Sequence, residues 1–519
     1  MIISKLARYS QVFILSAILG ISLLLRLYRW DRPLADWHSW RQADTASVTR
    51  EYVDNGIFLL SPKYHDLSNI PSGKDNPEGY RMVEFPFVNA TIAATYELTD
   101  GFGLPVHVFS RLWNILFSLG SIVFIFLLVR LLTTARTGLV TALIYGIMPF
   151  NLFFHTTVLP EVPLVFFSLG ALYFWVRYVH NQRRLDLFFF ALMTMLALLL
   201  KPLFIFFVPA LMYLLIKQYG FTSMFRPPLW LAALVIIIPF GLWRYWIQQF
   251  PEGIPAASWL LNSDGIRFKG AWFRWLFADR FGRLILGYWG LIPFGIGVVL
   301  KPNQKSGWFF HWLLFGVLAY LSVFATGNVT HDYYQIFIVP ILSIFVGIGI
   351  DYLLFQTPKI KVLEILETHN STQLTESGVI TETEIEDNIE ITRGDFHPHL
   401  STGLALVSLL LMLAFGWFAI RDNFNINNPA IVEAGQAVEE LTPADAKIIA
   451  PYGGDTAFLY QTHRSGWPLG FEIEDKIEKG AQYYVSTSYD DEARDLEKRC
   501  QLVSKTDLYI LIRLECSQI

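Results

Sequence analysis

Residues 36–56 read DWHSWRQADTASVTREYVDNG, with Asp36, His38, Arg41, Gln42 and Asp44 inside nine positions and Trp37 and Trp40 between them. Carboxylates so placed can act as a general base or a metal ligand, and Arg and His can face a phosphate. The competing reading is an interfacial belt in which Trp and Arg anchor a loop. Residues 45–52 continue as an amphipathic helix along that interface. Further on, Glu84 is flanked by Val83, Phe85 and Phe87. A carboxylate on so apolar a stretch is expensive unless paired or used, and a salt bridge to Arg81 is the structural alternative.

Three more clusters follow. Glu161 succeeds Pro160 in HTTVLPEVPLVFF. An acid in a first helical turn meets the helix dipole favourably, which is reason enough for it to be there. Lys201 lies between two apolar runs, where it can snorkel or hold a lipid phosphate. GNVTHDYYQ brings together His331, Asp332, Tyr333, Tyr334 and Gln335. Its aromatics alone suggest a belt; His331 and Asp332 beside them suggest a polar site.

The elements that must position these residues follow from composition. The chain has 519 residues, 53% hydrophobic and 16% charged, against roughly 25% charged in soluble domains. That describes a polytopic membrane protein and excludes disorder, collagen-like repeats and a disulfide scaffold. The net charge of −4 and the lack of a basic stripe exclude a nucleic-acid partner. No phosphate-binding loop, dinucleotide fingerprint or HExxH is present.

A span needs about 20 apolar residues. About eleven are expected, near 10–30, 106–129, 138–155, 161–179, 185–200, 202–217, 228–248, 284–300, 308–326, 335–355 and 401–420. With the N-terminus inside, the inner loops hold Arg130, Arg136, Arg177, Arg183, Arg184, Lys217, Arg226, Lys301, Lys305, Lys359 and Lys361. The short outer turns at 155–161 and 326–332 hold no Lys or Arg, as the positive-inside rule requires. All the polar clusters then fall on the outer side of a plasma or inner membrane. The expected organisation is a membrane module over 1–356 with a long first outer loop at 31–105. An acidic cytoplasmic linker over 357–400, a last span at 401–420 and an outer α/β domain over 421–519 follow. In that domain AIVEAGQAVEEL has helical spacing, while AKIIAPYG, AQYYVSTS and DLYILIRLE read as strands. Cys500 and Cys516 flank a hairpin and are either a disulfide or two free thiols.

HSWRQADTASVTREYVDNGIF is similar to a form of the first-loop motif in bacterial members of the GT-C superfamily of integral-membrane glycosyltransferases. LPEVPLVFF and HDYYQIFIVPIL also resemble family segments. The nearest branch looks like family 39 with its protein O-mannosyltransferases, lipid A aminoarabinose transferases and lipopolysaccharide galacturonosyltransferase-like proteins. The resemblance covers roughly residues 10–350 and the presence of a C-terminal outer domain. It implies a mostly α, GT-C-type helical bundle. The activity it implies is inverting transfer of a hexose or pentose from a polyprenyl-phosphate carrier to a lipid, glycan or protein acceptor.

In the usual pattern an Asp-Glu pair opens the first loop; here Arg41-Gln42 stand in its place. Asp44 is the favoured base, with Asp36 and Glu84 as the other catalytic candidates. Glu161 matches an acid that family members carry. Glu84 falls near where aminoarabinose transferases carry a Lys, so Lys201, Arg41 or His331 must supply that positive charge. His38, Gln42, Asp332 and Tyr333 complete the expected substrate-binding set. No cofactor is required; a divalent metal, Mg or Mn, has a place if several acids converge. The alternative class is a transporter or flippase of lipid-linked saccharides, which would be expected to carry mid-span charge. A third is a membrane-anchored sensor working through Asp455, His463 and Arg464 of the C-terminal domain.

Overall fold

The computed structural model describes residues 2–355 and 398–516; the acidic linker expected over 357–400 falls almost wholly outside them. Ten helices lead the chain through its first half. They are α1 (Ile2–Arg26), α2 (Ser39–Asn55), α3 (Phe87–Thr99), α4 (Val106–Leu132), α5 (Ala135–Ile147), α6 (Pro149–Phe154), α7 (Glu161–Asn181), α8 (Arg184–Leu200), α9 (Val208–Tyr219) and α10 (Pro227–Trp246). Among the described residues six helical stretches are long and apolar enough to cross a membrane, and Ala135–Ile147, Phe309–Val323 and Val339–Phe355 are apolar but shorter.

Every expected span overlaps helix, but not always one straight helix. The 138–155 span breaks into α5 and α6, with Pro149 opening the second piece. The 284–300 span keeps only Leu291–Val299 as α-helix; a π-helix over Arg274–Ile285 precedes it, and Gly287 and Tyr288 take positive φ between them. At Lys201-Pro202 the expected turn is present. Residue 201 is extended (φ −152°, ψ 138°), as a residue before proline must tend to be, and a 3-10 turn at Pro202–Phe207 leads into α9.

Helices approach backbone to backbone where glycine allows it. A Cβ at Gly297 would lie 2.0 Å from the Phe345 carbonyl oxygen, and one at Gly316 would lie 2.1 Å from that of Phe206. Arg26 ends α1 fully buried. Its guanidinium donates to the Gly146 carbonyl at 2.7 Å and to Ser118 at 2.9 Å, and lies 3.1 Å from His155 Nδ1. A cation so enclosed survives because every face of it has a polar partner.

The C-terminal segment forms an α/β unit. Its first helix spans Ala430–Leu441, the stretch expected from apolar spacing, and shorter helices follow at Ala457–Gln461, Ile473–Glu478 and Asp491–Arg499. Five strands, β1 (Lys447–Ile449), β2 (Ser465–Trp467), β3 (Ala481–Ser486), β4 (Cys500–Lys505) and β5 (Ile510–Cys516), form one sheet in the order β2-β1-β3-β5-β4. β1 runs parallel to both neighbours and β5 antiparallel to both of its own. Cys500 and Cys516 are disulfide-bonded across the β4–β5 hairpin.

This unit docks on the first loop. Leu67 N donates to Gly466 O and Gly466 N to His65 O, each at 2.9 Å. Arg50 of α2 donates to Tyr460 O at 2.8 Å with its guanidinium 3.6 Å from that ring's centre. The result corrects the expected interfacial helix: α2 is mostly buried, held between the loop and the C-terminal unit.

Candidate active site

Four elements converge on one cavity of about 620 Å³. Helix α2 contributes Trp40, Arg41 and Asp44, and the loop before α3 contributes Arg81 and Glu84. Lys201 comes from the end of α8, and Tyr333 and Tyr334 from the 3-10 turn at Asp332–Phe337. Of the sequence-derived candidates, Arg41, Asp44, Glu84, Lys201 and Tyr333 line this cavity.

The charges alternate. Arg41 donates to Glu84 Oε1, and Lys201 lies 3.9 Å from the same oxygen while also bonding Glu161 Oε1. Glu84 therefore does not pair with Arg81 as the structural alternative had it. Arg81 instead holds Asp44 Oδ2 at 2.9 Å. Burial would raise the Glu84 carboxyl, but the charges of Arg41, Lys201 and Arg81 outweigh it and keep Glu84 below the usual carboxylate range. Lys201 stands 5.3 Å from the Tyr334 ring centre and 5.9 Å from that of Tyr333.

Asp36 is elsewhere, which corrects its place among the catalytic candidates. Its side chain is fully buried. It pairs with Arg32, accepts from Gln42 Nε2 at 2.7 Å, and lies 3.5 Å from the buried Arg111. Gln42 in turn accepts from Val158 N at 3.1 Å, so it is part of this brace and does not line the cavity. His38 Nε2 lies 2.6 Å from Asp332 Oδ1, behind Tyr333. Burial works to raise Asp332, yet the bond and charge of His38 hold it down. His331 stacks on Tyr333. Burial, reinforced by His38, lowers it to about 4, so it is neutral at pH 7 and does not supply the expected positive charge. Glu161 sits behind Lys201, fully buried at the head of α7.

Sequence reasoning left out four cavity residues: Arg81 as the partner of Asp44, Asp66, Arg244 and Thr456. Arg81 carried a local signal three positions before Glu84; the others come from distant segments. Of the third reading's residues, only Asp455 lies near the cavity, with a carboxyl pushed up to about 6 by burial and then by Asp44. His463 pairs with Glu439, and Arg464 donates to the Thr442 carbonyl. Among the described residues no group of three or more His, Cys, Asp or Glu is placed to hold a metal ion.

The architecture matches solved membrane enzymes. ArnT from Cupriavidus metallidurans in the apo state superposes with a TM-score of 0.65 at 14% identity, over 98% of this chain and 98% of that one. The same protein bound to undecaprenyl phosphate gives 0.64 at 13% identity, over 96% and 97%. The oligosaccharyltransferase of Archaeoglobus fulgidus, complexed with Zn and sulfate, gives 0.55 at 10% identity, over 91% of this chain and 68% of that one. The family model described as dolichyl-phosphate-mannose-protein mannosyltransferase matches residues 83–246. No curated protein sequence matches the chain. The chain has the GT-C fold of integral-membrane glycosyltransferases.

Two outcomes test this geometry. Asp36→Ala strands Arg32 and Arg111 in a buried site, a loss of about 3–5 kcal/mol. The variant should therefore fail to yield folded, monodisperse protein, whereas Asp44→Asn should yield it. Asp66 is raised to about 6, mainly by burial. Because this value exceeds the ordinary one, the fold takes up a proton between about pH 4 and 6 and loses stability as pH rises through that window. Asp66→Asn removes that loss, at most about 3 kcal/mol. Its melting midpoint should match wild type near pH 4 and exceed it by a few degrees at pH 7.

Proposed function

We propose that this chain is a glycosyltransferase that moves a sugar from a polyprenyl-phosphate carrier to a hydroxyl acceptor on the outer face of the membrane, with inversion. The observation that carries the reading is one cavity lined by a carboxylate, Asp44, and by the cations Arg41, Lys201 and Arg244. A similar fold has been solved with undecaprenyl phosphate in ArnT, and with dolichol-phosphate in the archaeal AglB. The N-terminus is cytoplasmic and the C-terminal domain lies outside, in accord with the basic inner loops.

The chemistry needs few parts. The leaving group is a lipid phosphate, already a stabilised anion, so no strong general acid is required. As the bond to the anomeric carbon breaks, negative charge returns to the phosphate. Arg41 and Lys201 stabilise it, with Arg244, which has no ion-pair partner among the described residues, at the membrane end. Asp44 accepts the proton of the acceptor hydroxyl as that oxygen attacks in line. Trp40 and Tyr334 offer faces for the sugar ring, while Leu203, Leu260 and Phe324 supply apolar wall for the prenyl chain.

Purified protein in lipid, given a panel of polyprenyl-phosphate sugars and an envelope acceptor extract, should release free polyprenyl phosphate. Asp44→Asn should remain folded and lose that release by about 10²- to 10⁴-fold; full activity in the variant would remove Asp44 from the mechanism. Arg244→Ala should raise the donor KM about tenfold or more with a smaller change in kcat, since about 1.4 kcal/mol of charge-assisted binding is tenfold in affinity. An unchanged KM would take the phosphate away from Arg244.

A further inference from the structure

The C-terminal domain reaches into the cavity through one short loop, PYGGDT, residues 451–456. Two glycines in the left-handed region, Gly453 (φ 62°) and Gly454 (φ 85°), turn it back. Tyr452 N and Gly454 N both donate to the Pro468 carbonyl, at 3.0 and 3.1 Å. Asp455 Oδ1 accepts from Ala457 N at 2.7 Å, closing the loop onto the short helix that follows. Gly454 and Thr456 are left on the cavity wall.

Thr456 Oγ1 lies 2.8 Å from Asp44 Oδ1 and 3.1 Å from the Trp40 carbonyl. A hydroxyl has one proton to give. The ionised carboxylate, at the shorter distance, is the stronger acceptor. Asp44 Oδ2 is held from the opposite side by Arg81 at 2.9 Å. Both oxygens of one carboxylate are thus pinned by groups outside its own helix. Each keeps a further lone pair for a substrate hydroxyl. The domain that brings Thr456 is anchored on that same helix by the Arg50–Tyr460 contact and on the loop by the Gly466 pairing.

We propose that Thr456 is a positioning residue for Asp44, so that the C-terminal domain completes the active site instead of serving as a separate module. The inference rests on Asp44 being the base of the proposed transfer. Asp44 turns about its own side-chain bonds unless both oxygens are held, and a base misplaced by even an ångström costs rate far more than binding. The charged groups facing Asp44 are Arg81 and Arg41, with Asp66 and Asp455 close by.

The test uses the full chain in lipid nanodiscs with Thr456→Val, which keeps shape and removes the donor, and Thr456→Ser, which keeps the donor. Thr456→Val should lower kcat about 10- to 100-fold and leave the donor KM within about twofold. Thr456→Ser should restore the wild-type kcat. A density map of each variant should show the Asp44 carboxylate turned off Arg81 or split between rotamers in Thr456→Val, and in the wild-type pose in Thr456→Ser. A Thr456→Val enzyme with wild-type kcat overturns the inference, as does a Ser variant as impaired as Val. Absence of turnover in wild type would count against the transfer reading itself. The Asp44 pose then still decides whether Thr456 positions it, and an unmoved carboxylate in Thr456→Val refutes that.

Discussion

One buried run of alternating charge sets the geometry of everything around it. Glu161, Lys201, Glu84 and Arg41 follow one another in contact, from the head of α7 through the end of α8 and the first loop to α2. No member is tolerable alone. A carboxylate or ammonium removed from water at the mouth of a helical bundle costs several kcal/mol unless a partner and further hydrogen bonds offset it. Pairing therefore welds four segments that share no local sequence. The backbone reinforces it: Phe85 N donates to the Leu199 carbonyl at 2.9 Å, tying the residue after Glu84 to the helix that presents Lys201. The loop cannot leave the bundle without stranding charge on both sides.

The same physics sorts the two acids that open the first loop. Asp36 and Asp44 are eight positions apart and have similar neighbours in sequence. Asp36 meets Arg32, Gln42 and Arg111, and its carbonyl accepts from Asn427 of the C-terminal segment at 3.0 Å. It is sealed, and it joins the loop to α4 and to the chain beyond the last span. Asp44 lies within α2, whereas Asp36 precedes it. It is paired just as fully, but its partners leave it on a cavity wall. Pairing alone does not separate a structural carboxylate from a chemical one; access does.

What sequence could tell follows this division. The apolar helices were legible because hydrocarbon selects length and composition over long windows. The helix Ala430–Leu441 was legible because its apolar period is local. The π-helix at Arg274–Ile285 and the break at Gly287 left no such trace, since they arise where neighbouring helices press backbone on backbone; a Cβ at Gly287 would stand 2.2 Å from the Met412 carbonyl oxygen. In the site, residues carrying rare polar types on apolar stretches, such as Glu84 and Lys201, announced themselves. Thr456, 412 positions from Asp44, did not. Threonine is common in loops, and only the fold gives this one its partner. Of the three residues weighed for the missing positive charge, His331 is the one that burial keeps neutral, and burial was not legible in its neighbours.

Charge balance explains how such a site can receive an anion. The ion-paired side chains are Arg41, Arg81 and Lys201 against Asp44, Glu84 and Glu161, three against three, while Asp66 and Arg244 line the same cavity outside these pairs. On the proposed reading, a lipid phosphate entering the cavity would add negative charge to a set with no excess of cations. Arg244 meets part of that need, lying in the last turn of α10, where a helix end favours a cation. The remainder has to come from cations already engaged, and Glu84 is the carboxylate that shares two of them. In the proposed transfer, Arg41 and Lys201 would turn from Glu84 toward phosphate oxygens as the bond to the sugar lengthens. The cations would then pass from one anion to another without being left unpaired. In a cavity of low dielectric that exchange needs little reorganisation at the moment of reaction, which is the condition under which fixed charges stabilise a leaving group most.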